Sequence, residues 1–440
     1  MTQVAVLGSW HLGSVTAACL ADAGHQVRVW DADPQRTFAL AAGVAPVSEP
    51  GLDALVQQEL SSGRLTVATD LEKAVAGAEV VWVTQDTHVN DDDTVDLSQL
   101  DALIDRLGPL LDSDTAVAVS SQVPVRTCER WWDQLSSATQ ARRTSLTGIA
   151  YLPENLRLGT ALARFRRPDM MVIGSNNERT GNLLQDLTSF TQAPVVRTDL
   201  RSAELVKHAI NSFLATSISF ANEIALVADL VGADAATVAR AMRLDERIGL
   251  KARVSPGLGF AGGTLARDVT ALIAIGRAAG QPTLLAEAVL EVNRRHAQWP
   301  LHRLEAELDL PNATVGILGL TYTVGTSTLR RSQSVPLIKA LTARGARVRA
   351  HDPQADLSEL GENLDLVRAD TPYLAAAGCD AILLLTPWPD YLSMDWSQIA
   401  RAMKGDLIID GPNSLDHATV GQAGLMIVGP GRANLLRSPS

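Results

Sequence analysis

A chain of 440 residues exceeds what one ordinary hydrophobic core organises and points to two or three domains. Its 46% hydrophobic and 20% charged residues are those of a soluble globular enzyme. The net charge of −11 argues against nucleic acid and anionic membrane as partners, while a few arginines in a pocket still suffice for an anionic small molecule.

Residues 1–10 read as a strand and not as a charged leader. No uninterrupted apolar run reaches the ~20 residues needed to cross a bilayer. Three cysteines, Cys19, Cys128 and Cys379, lie far apart and make no metal spacing, so no metal is expected. Their sparse use suits a reducing, cytoplasmic setting.

In chain order, residues 4–8 (VAVLG) read as a buried strand and 12–23 as an Ala-rich helix ended by Gly24. Residues 27–30 (VRVW) form a second strand closed by Asp31, and the apolar runs 80–84, 116–121 and 170–174 continue the pattern. Strands spaced by helices predict a parallel, doubly wound sheet. Near residue 200 the character changes. From Ser202 to Leu230 the apolar positions recur at helical spacing with no Gly or Pro, and Gly232 supplies the stop. Helical patterns follow at 233–243 and 268–296, without a convincing strand. A second α/β pattern starts at 313, with strands at 313–320, 348–352, 381–386 and 406–410. The expected fold is therefore α/β: two Rossmann-like doubly wound domains, 1–200 and 301–432, joined by a long central helix and a helical middle, 201–300. Residues 433–440 are expected to be a disordered tail.

The best phosphate cradle is Gly8-Ser9-Trp10-His11-Leu12-Gly13, which follows a strand and opens a helix. Asp31, at the end of the second strand, can bond ribose hydroxyls and favours NAD over NADP. Arg28 and Arg36 weaken that preference. Trp10 stands where the middle glycine lets the backbone approach a pyrophosphate. Its indole either obstructs the cofactor or swings away and covers it, and a turn that no longer binds NAD is the plain alternative. His11 either faces the phosphates or solvates the helix start.

The ordered motifs resemble the UDP-glucose/GDP-mannose dehydrogenase family over nearly the whole chain. They run through Pro46-Val47-Ser48-Glu49-Pro50-Gly51-Leu52, Val123-Pro124-Val125 with Thr127, and Leu152-Pro153-Glu154 with Leu156-Arg157. They continue in Glu204-Leu205-Val206-Lys207 with Asn211, Arg247-Ile248-Gly249, Pro256-Gly257-Leu258-Gly259-Phe260, Gly319-Leu320-Thr321-Tyr322 and Asp410-Gly411-Pro412-Asn413. The resemblance implies two-step, NAD-dependent oxidation of a nucleotide sugar at C6, a first domain holding NAD, a last domain holding the nucleotide, and a homodimer on the middle helix.

It also implies site residues. Lys207 and Asn211, one helical turn apart, share a helix face; Lys207 would hold the substrate oxygen or a water, with Asp268 pairing with it and helping to relay the proton, Asn211 beside them in the catalytic set, and Glu154 acting as acid/base or water-orienter. Taken alone, a helical Lys and Asn are usually solvated, Asp268 is a first-turn acid, and Glu154 is a loop glutamate. Gly8, Trp10, His11, Leu12, Gly13, Asp31, Thr84 and Gln122 would meet the cofactor. Leu156, Arg157, Arg247, Phe260, Gly262 and Arg330 would meet the substrate. Arg247 would anchor a diphosphate, across a dimer or as a plain helix-end cation.

Several positions depart from the family pattern. The nucleophilic cysteine is Thr264, whose hydroxyl lacks a comparable anionic fraction near neutral pH. Thr323, Pro412, Gln122, Arg126, Gln85 and Asn155 replace other motif residues. An NAD-dependent oxidoreductase on a nucleotide-linked sugar or related polyol is the leading expectation. A non-catalytic binding homologue and a transiently redox epimerase are its competitors.

Overall fold

The computed structural model describes residues 1–90, 94–142, 144–154, 156–360 and 364–432. The expected tail, 433–440, and Asn155 lie outside the described residues. The chain divides into two compact units, Met1–Ile210 and Asn211–Ser440.

In the first unit the strands are β1 (Gln3–Leu7), β2 (Gln26–Trp30), β3 (Leu65–Val67) and β4 (Val80–Val83), then a two-stranded ribbon of β5 (His88–Val89) and β6 (Val95–Asp96). Next come β7 (Ala116–Val119), β8 (Gly148–Tyr151), β9 (Met171–Ser175) and β10 (Val195–Thr198). Eight of them form one sheet, in the order β10-β9-β8-β7-β4-β1-β2-β3. Val4 and Val6 pack into the core on one face, Ala5 and Leu7 into the core on the other. A sheet covered on both sides needs such unbroken apolar runs, which is why the sequence displayed them so clearly. The expectation of a purely parallel sheet needs correction at one place. β9 runs antiparallel to β8, and β10 then pairs parallel with β9. Among the described residues between β8 and β9 the regular structure is the short helix Ala161–Arg166, and the strand returns in the opposite sense.

The second unit carries β11 (Thr314–Leu318), β12 (Arg347–His351), β13 (Val367–Arg368), β14 (Ala381–Leu384), β15 (Leu407–Asp410) and β16 (Met426–Val428). Their order is β13-β12-β11-β14-β15-β16, and every pair is parallel. Between Asn211 and Thr314 the described residues are helical or irregular, with helices Ala235–Leu244, Leu265–Ala278, Leu284–His296 and Trp299–Glu307. The helical patterns expected through 268–296 are carried by two helices, with Gly280 and Pro282 between them.

The long helix spans Leu200–Val231, 32 residues and roughly 48 Å, so it continues through the division at 210/211. By length and composition it is apolar enough to cross a membrane, with a mean hydropathy of 1.4 over an 18-residue window, a third of it buried. Ser, Thr and Asn punctuate the helix, so it contains no continuous apolar run of that length. Several of its polar residues bond within the protein. Glu204 is fully buried and accepts the backbone N–H groups of Arg126 and Cys128 at 2.6 and 2.8 Å, capping the helix Thr127–Ala141. Burial pushes the Glu204 carboxyl above its ordinary range, and the two amide bonds pull it partly back.

Arg126 occupies the N-cap of that helix with φ +79, in the left-handed region that glycine adopts without strain. Its N–H, not its largely exposed side chain, makes the bond to Glu204. Arg126→Gly is therefore expected to raise stability by up to about 1 kcal/mol, or ~2–4 °C in thermal midpoint. Differential scanning calorimetry checks this; a lower midpoint would mean that the guanidinium contributes more than the backbone strain costs.

Candidate functional site

The first cradle sits where β1 lies between β4 and β2, the point at which strand order reverses and ligands bind in such sheets. Gly8 ends β1 with φ +102, and a Cβ there would stand 2.6 Å from the Gln85 backbone. A Cβ on Gly13 would fall 1.7 Å from the Gly8 carbonyl oxygen, so the helix His11–Asp22 can approach the strand only with glycine at this place. Two of the three fingerprint glycines thus have a steric reason, and the residues fit a dinucleotide cradle. Leu12 is buried beneath it.

Trp10 is the N-cap of that helix and makes no side-chain cap bond. The guanidinium of Arg36 lies 4.7 Å from its ring centroid, while Arg36 also approaches Asp31 at 3.8 Å and Asp33 at 3.4 Å. The indole is thus stacked on Arg36. Asp31 is buried and already engaged: its Oδ2 accepts the Ser9 N–H and hydroxyl at 2.6 and 2.9 Å, its Oδ1 the Asp33 N–H at 2.9 Å. Thr84 is fully buried, and its hydroxyl lies 3.1 Å from the Leu7 carbonyl and 2.9 Å from that of Gly8. Gln122 accepts the Thr87 hydroxyl at its carbonyl.

His11 is turned toward Glu49, with Nε2 to Oε2 at 3.1 Å. Glu49, which the sequence reading left without a role, also accepts the N–H groups of Gly159 and Ala161 at 2.8 and 2.7 Å. It thereby ties the cradle to the segment that follows Leu156 and exposed Arg157. A 510 Å³ cleft opens beside this tie, with Glu49, Gly51, Gly159 and Leu162 in its wall.

In the same unit Lys207 is buried, donates from Nζ to the Glu154 carbonyl oxygen, and lies 4.0 Å from the Glu154 carboxylate. Glu154 Oε2 accepts the Leu156 N–H. Next to Lys207, His208 bonds the Val123 carbonyl at 3.1 Å. In the second unit Asn211 donates to Asp268, whose side chain is fully buried in the first turn of the helix Leu265–Ala278. Thr264 is the N-cap of that helix, and its side chain makes no cap bond. Gly262 has φ +76, donates its N–H to the Arg331 carbonyl, and faces the Tyr322 ring so closely that a Cβ would stand 2.9 Å away. Phe260, expected at the substrate, has its ring buried among Ala215, Val269, Ile273, Ala286 and Val289. Its carbonyl oxygen accepts from the Asn293 side chain. Arg247 is exposed and paired with Asp245 at 2.7 Å; Arg330 is exposed as well.

The three thiols offer no nucleophile. All are buried, and burial pushes Cys19 up to about 12 and Cys379 up to about 11, and raises Cys128 well above the ordinary thiol range with help from the Glu204 carboxylate. No group of three or more His, Cys, Asp or Glu that could hold a metal occurs among the described residues.

The chain is similar to known proteins over nearly its full length. Residues 2–191, 201–295 and 316–417 match, in turn, the NAD binding, central and UDP binding domains of the UDP-glucose/GDP-mannose dehydrogenase family. A UDP-glucose 6-dehydrogenase from Pseudomonas aeruginosa is 35% identical, over 98% of this chain and 97% of its own. UDP-glucose 6-dehydrogenase TuaD of Bacillus subtilis is 32% identical, over 98% and 94%. Among solved structures, a UDP-glucose dehydrogenase from Pyrobaculum islandicum aligns at TM-score 0.88 and 33% identity, covering 98% of both chains. A UDP-D-ManNAc dehydrogenase from Pyrococcus horikoshii aligns at 0.87 and 26%, covering 98% of this chain and 100% of its own. With all three domains matched in order and relatives of this identity aligned over nearly its full length, the chain belongs to the UDP-glucose/GDP-mannose dehydrogenase family.

Proposed function

We propose that this protein is an NAD-dependent oxidoreductase that oxidises a CH–OH group of a UDP-sugar. The observation that carries this reading is the pairing of buried polar groups on one helix: Lys207 on the Glu154 carbonyl, and Asn211 on the buried Asp268. Bound NAD supplies the hydride acceptor. Lys207 holds the substrate oxygen and stabilises negative charge developing on it. Asp268, oriented by Asn211, takes the proton, and Glu154 orients water. Backbone amides around Gly262 approach the sugar, while Leu156, Arg157, Arg247 and Arg330 hold the rest of the substrate. Incubation with NAD and a panel of UDP-sugars should yield NADH with at least one of them. Tight sugar-nucleotide binding without NADH would turn the reading toward a binding protein.

The domain scheme supported by this reading is 1–200 for NAD, 201–300 for dimerisation and 301–432 for the nucleotide sugar. A cytoplasmic homodimer in polysaccharide biosynthesis, with no membrane or nucleic-acid partner, accompanies it. Phe213 (71% exposed), Leu230 (87%) and Val231 (71%) put apolar side chains on the surface of the long helix, which supports a subunit interface there.

Trp10→Gly is expected to weaken NAD binding by about two- to fivefold, because Arg36 loses a stacking contact of about 0.5–1 kcal/mol beside Asp31. Calorimetric titration checks this. Tighter binding would show that the indole obstructs the pyrophosphate path, and no NAD binding by either form would remove the oxidoreductase reading.

A further inference from the structure

The loop ahead of Thr264 has no regular secondary structure from Pro256 to Phe260, so its backbone groups need partners from elsewhere. Side chains supply them from four separate segments. Asn222, on the long helix, accepts the Gly257 N–H at 3.0 Å. His296 donates from Nε2 to the Gly257 carbonyl at 2.7 Å, and Asn293, one turn earlier on the helix Leu284–His296, donates to the Phe260 carbonyl at 3.0 Å. Gln333 donates to the Gly259 carbonyl at 2.8 Å, and Asn413 to that of Pro256 at 3.3 Å.

The fit is tight. A Cβ on Gly259 would stand 2.3 Å from the Asn293 side-chain oxygen. His296 is 3% exposed, and its second ring nitrogen has no hydrogen-bond partner among the described residues, so the imidazole is placed for the Gly257 carbonyl at the cost of a buried polar atom. Burial holds its pKa below the ordinary imidazole value, which keeps the ring neutral with its proton on the nitrogen facing the carbonyl. Fold stability alone would favour an apolar side chain here.

We propose that His296 and Asn293 are positioning residues: by gripping the carbonyls of Gly257 and Phe260 they set the path of the loop that presents Gly262 and Thr264 to the sugar. Both act through the loop backbone that they bond. The assignment rests on the nucleotide-sugar reading for what the loop presents, and on the geometry alone for how the loop is held.

The test uses the full-length chain. In hydrogen exchange, His296→Ala should deprotect amides across 257–264 while leaving 4–30 unchanged, and His296→Gln, whose amide can donate to the same carbonyl, should restore protection. In kinetics, His296→Ala should lower kcat/KM for the UDP-sugar by about tenfold to 10²-fold with NAD affinity unchanged, and His296→Gln should recover most of it. If His296→Ala fails to fold, Asn293→Asp, which removes the donor at equal size, should give the same local signature. Unchanged exchange at 257–264, a Gln variant no better than Ala, or NAD affinity falling in step would each overturn the proposal. A wild-type protein that oxidises no UDP-sugar would defeat the proposed function and leave the exchange result to decide this one.

Discussion

Lys207→Ala is expected to lower the rate of hydride transfer by about 10³-fold, with NAD affinity and thermal midpoint little changed. Oxidation of an alcohol removes a hydride from carbon and a proton from oxygen. As the proton leaves, the oxygen carries negative charge, and an ammonium fixed beside it is worth most when water is excluded. Lys207 is placed for that: it is buried, and its Nζ is fixed on the Glu154 carbonyl. Stopped-flow NADH formation under single-turnover conditions reads the chemical step directly. Lys207→Met, similar in length and uncharged, should be as slow as the alanine variant. A methionine variant with near wild-type rate would assign Lys207 to packing and move the oxyanion role elsewhere.

The second large effect concerns electron count. Wild-type protein is expected to release one NADH per UDP-sugar and to form no covalent adduct, whereas Thr264→Cys should release two and form one. The first oxidation moves two electrons and gives a carbonyl. To go further, a nucleophile must add to that carbonyl carbon so that a second hydride can leave. A thiolate does this, giving a thioester that water then cleaves to the acid and the free thiol; a second NAD takes the second hydride. Thr264 stands at the N-cap of the helix Leu265–Ala278, where the helix end lowers the pKa of a thiol but leaves an aliphatic hydroxyl protonated. None of the native cysteines substitutes, since burial keeps all three thiols protonated. NADH stoichiometry and intact mass under turnover decide the matter. Two equivalents from the wild type, with mass added at Thr264, would show that the hydroxyl replaces the thiol.

What the sequence made legible was whatever depends on neighbours along the chain. Val4–Leu7 and Val80–Val83 announced strands covered on both faces, and the unbroken periodicity of 202–230 announced the long helix. Gly8 and Gly13 marked the cradle because only glycine fits there. What depends on distant partners was hidden. The antiparallel turn of β9 leaves no mark in composition, since its residues are as apolar as those of a parallel strand. His11 gave no sign that it would face Glu49, 38 positions away, nor Glu204 that it would cap a helix starting 77 positions earlier at Thr127. Phe260 looked like a site aromatic within a Gly-rich loop, and its ring fills the core instead. An Asn or His on a helix reads as solvated until the loop it serves is folded beside it, which is why the sequence gives Asn293 and His296 no role.

The bond between Asp31 and Ser9 is matched in the second unit. There Gly319 ends β11 with φ +91, and Asp352, just past β12, accepts the N–H groups of Leu320 and Thr321 at 2.7 and 3.1 Å. In each sheet the carboxylate after the second strand ties down the turn after the first. Such a turn is already ordered when a ligand arrives, so little conformational entropy remains to be lost on docking. Association at either turn is then governed by diffusion and charge, with no slow ordering step, and affinity differences among ligands will be expressed chiefly in how fast they leave.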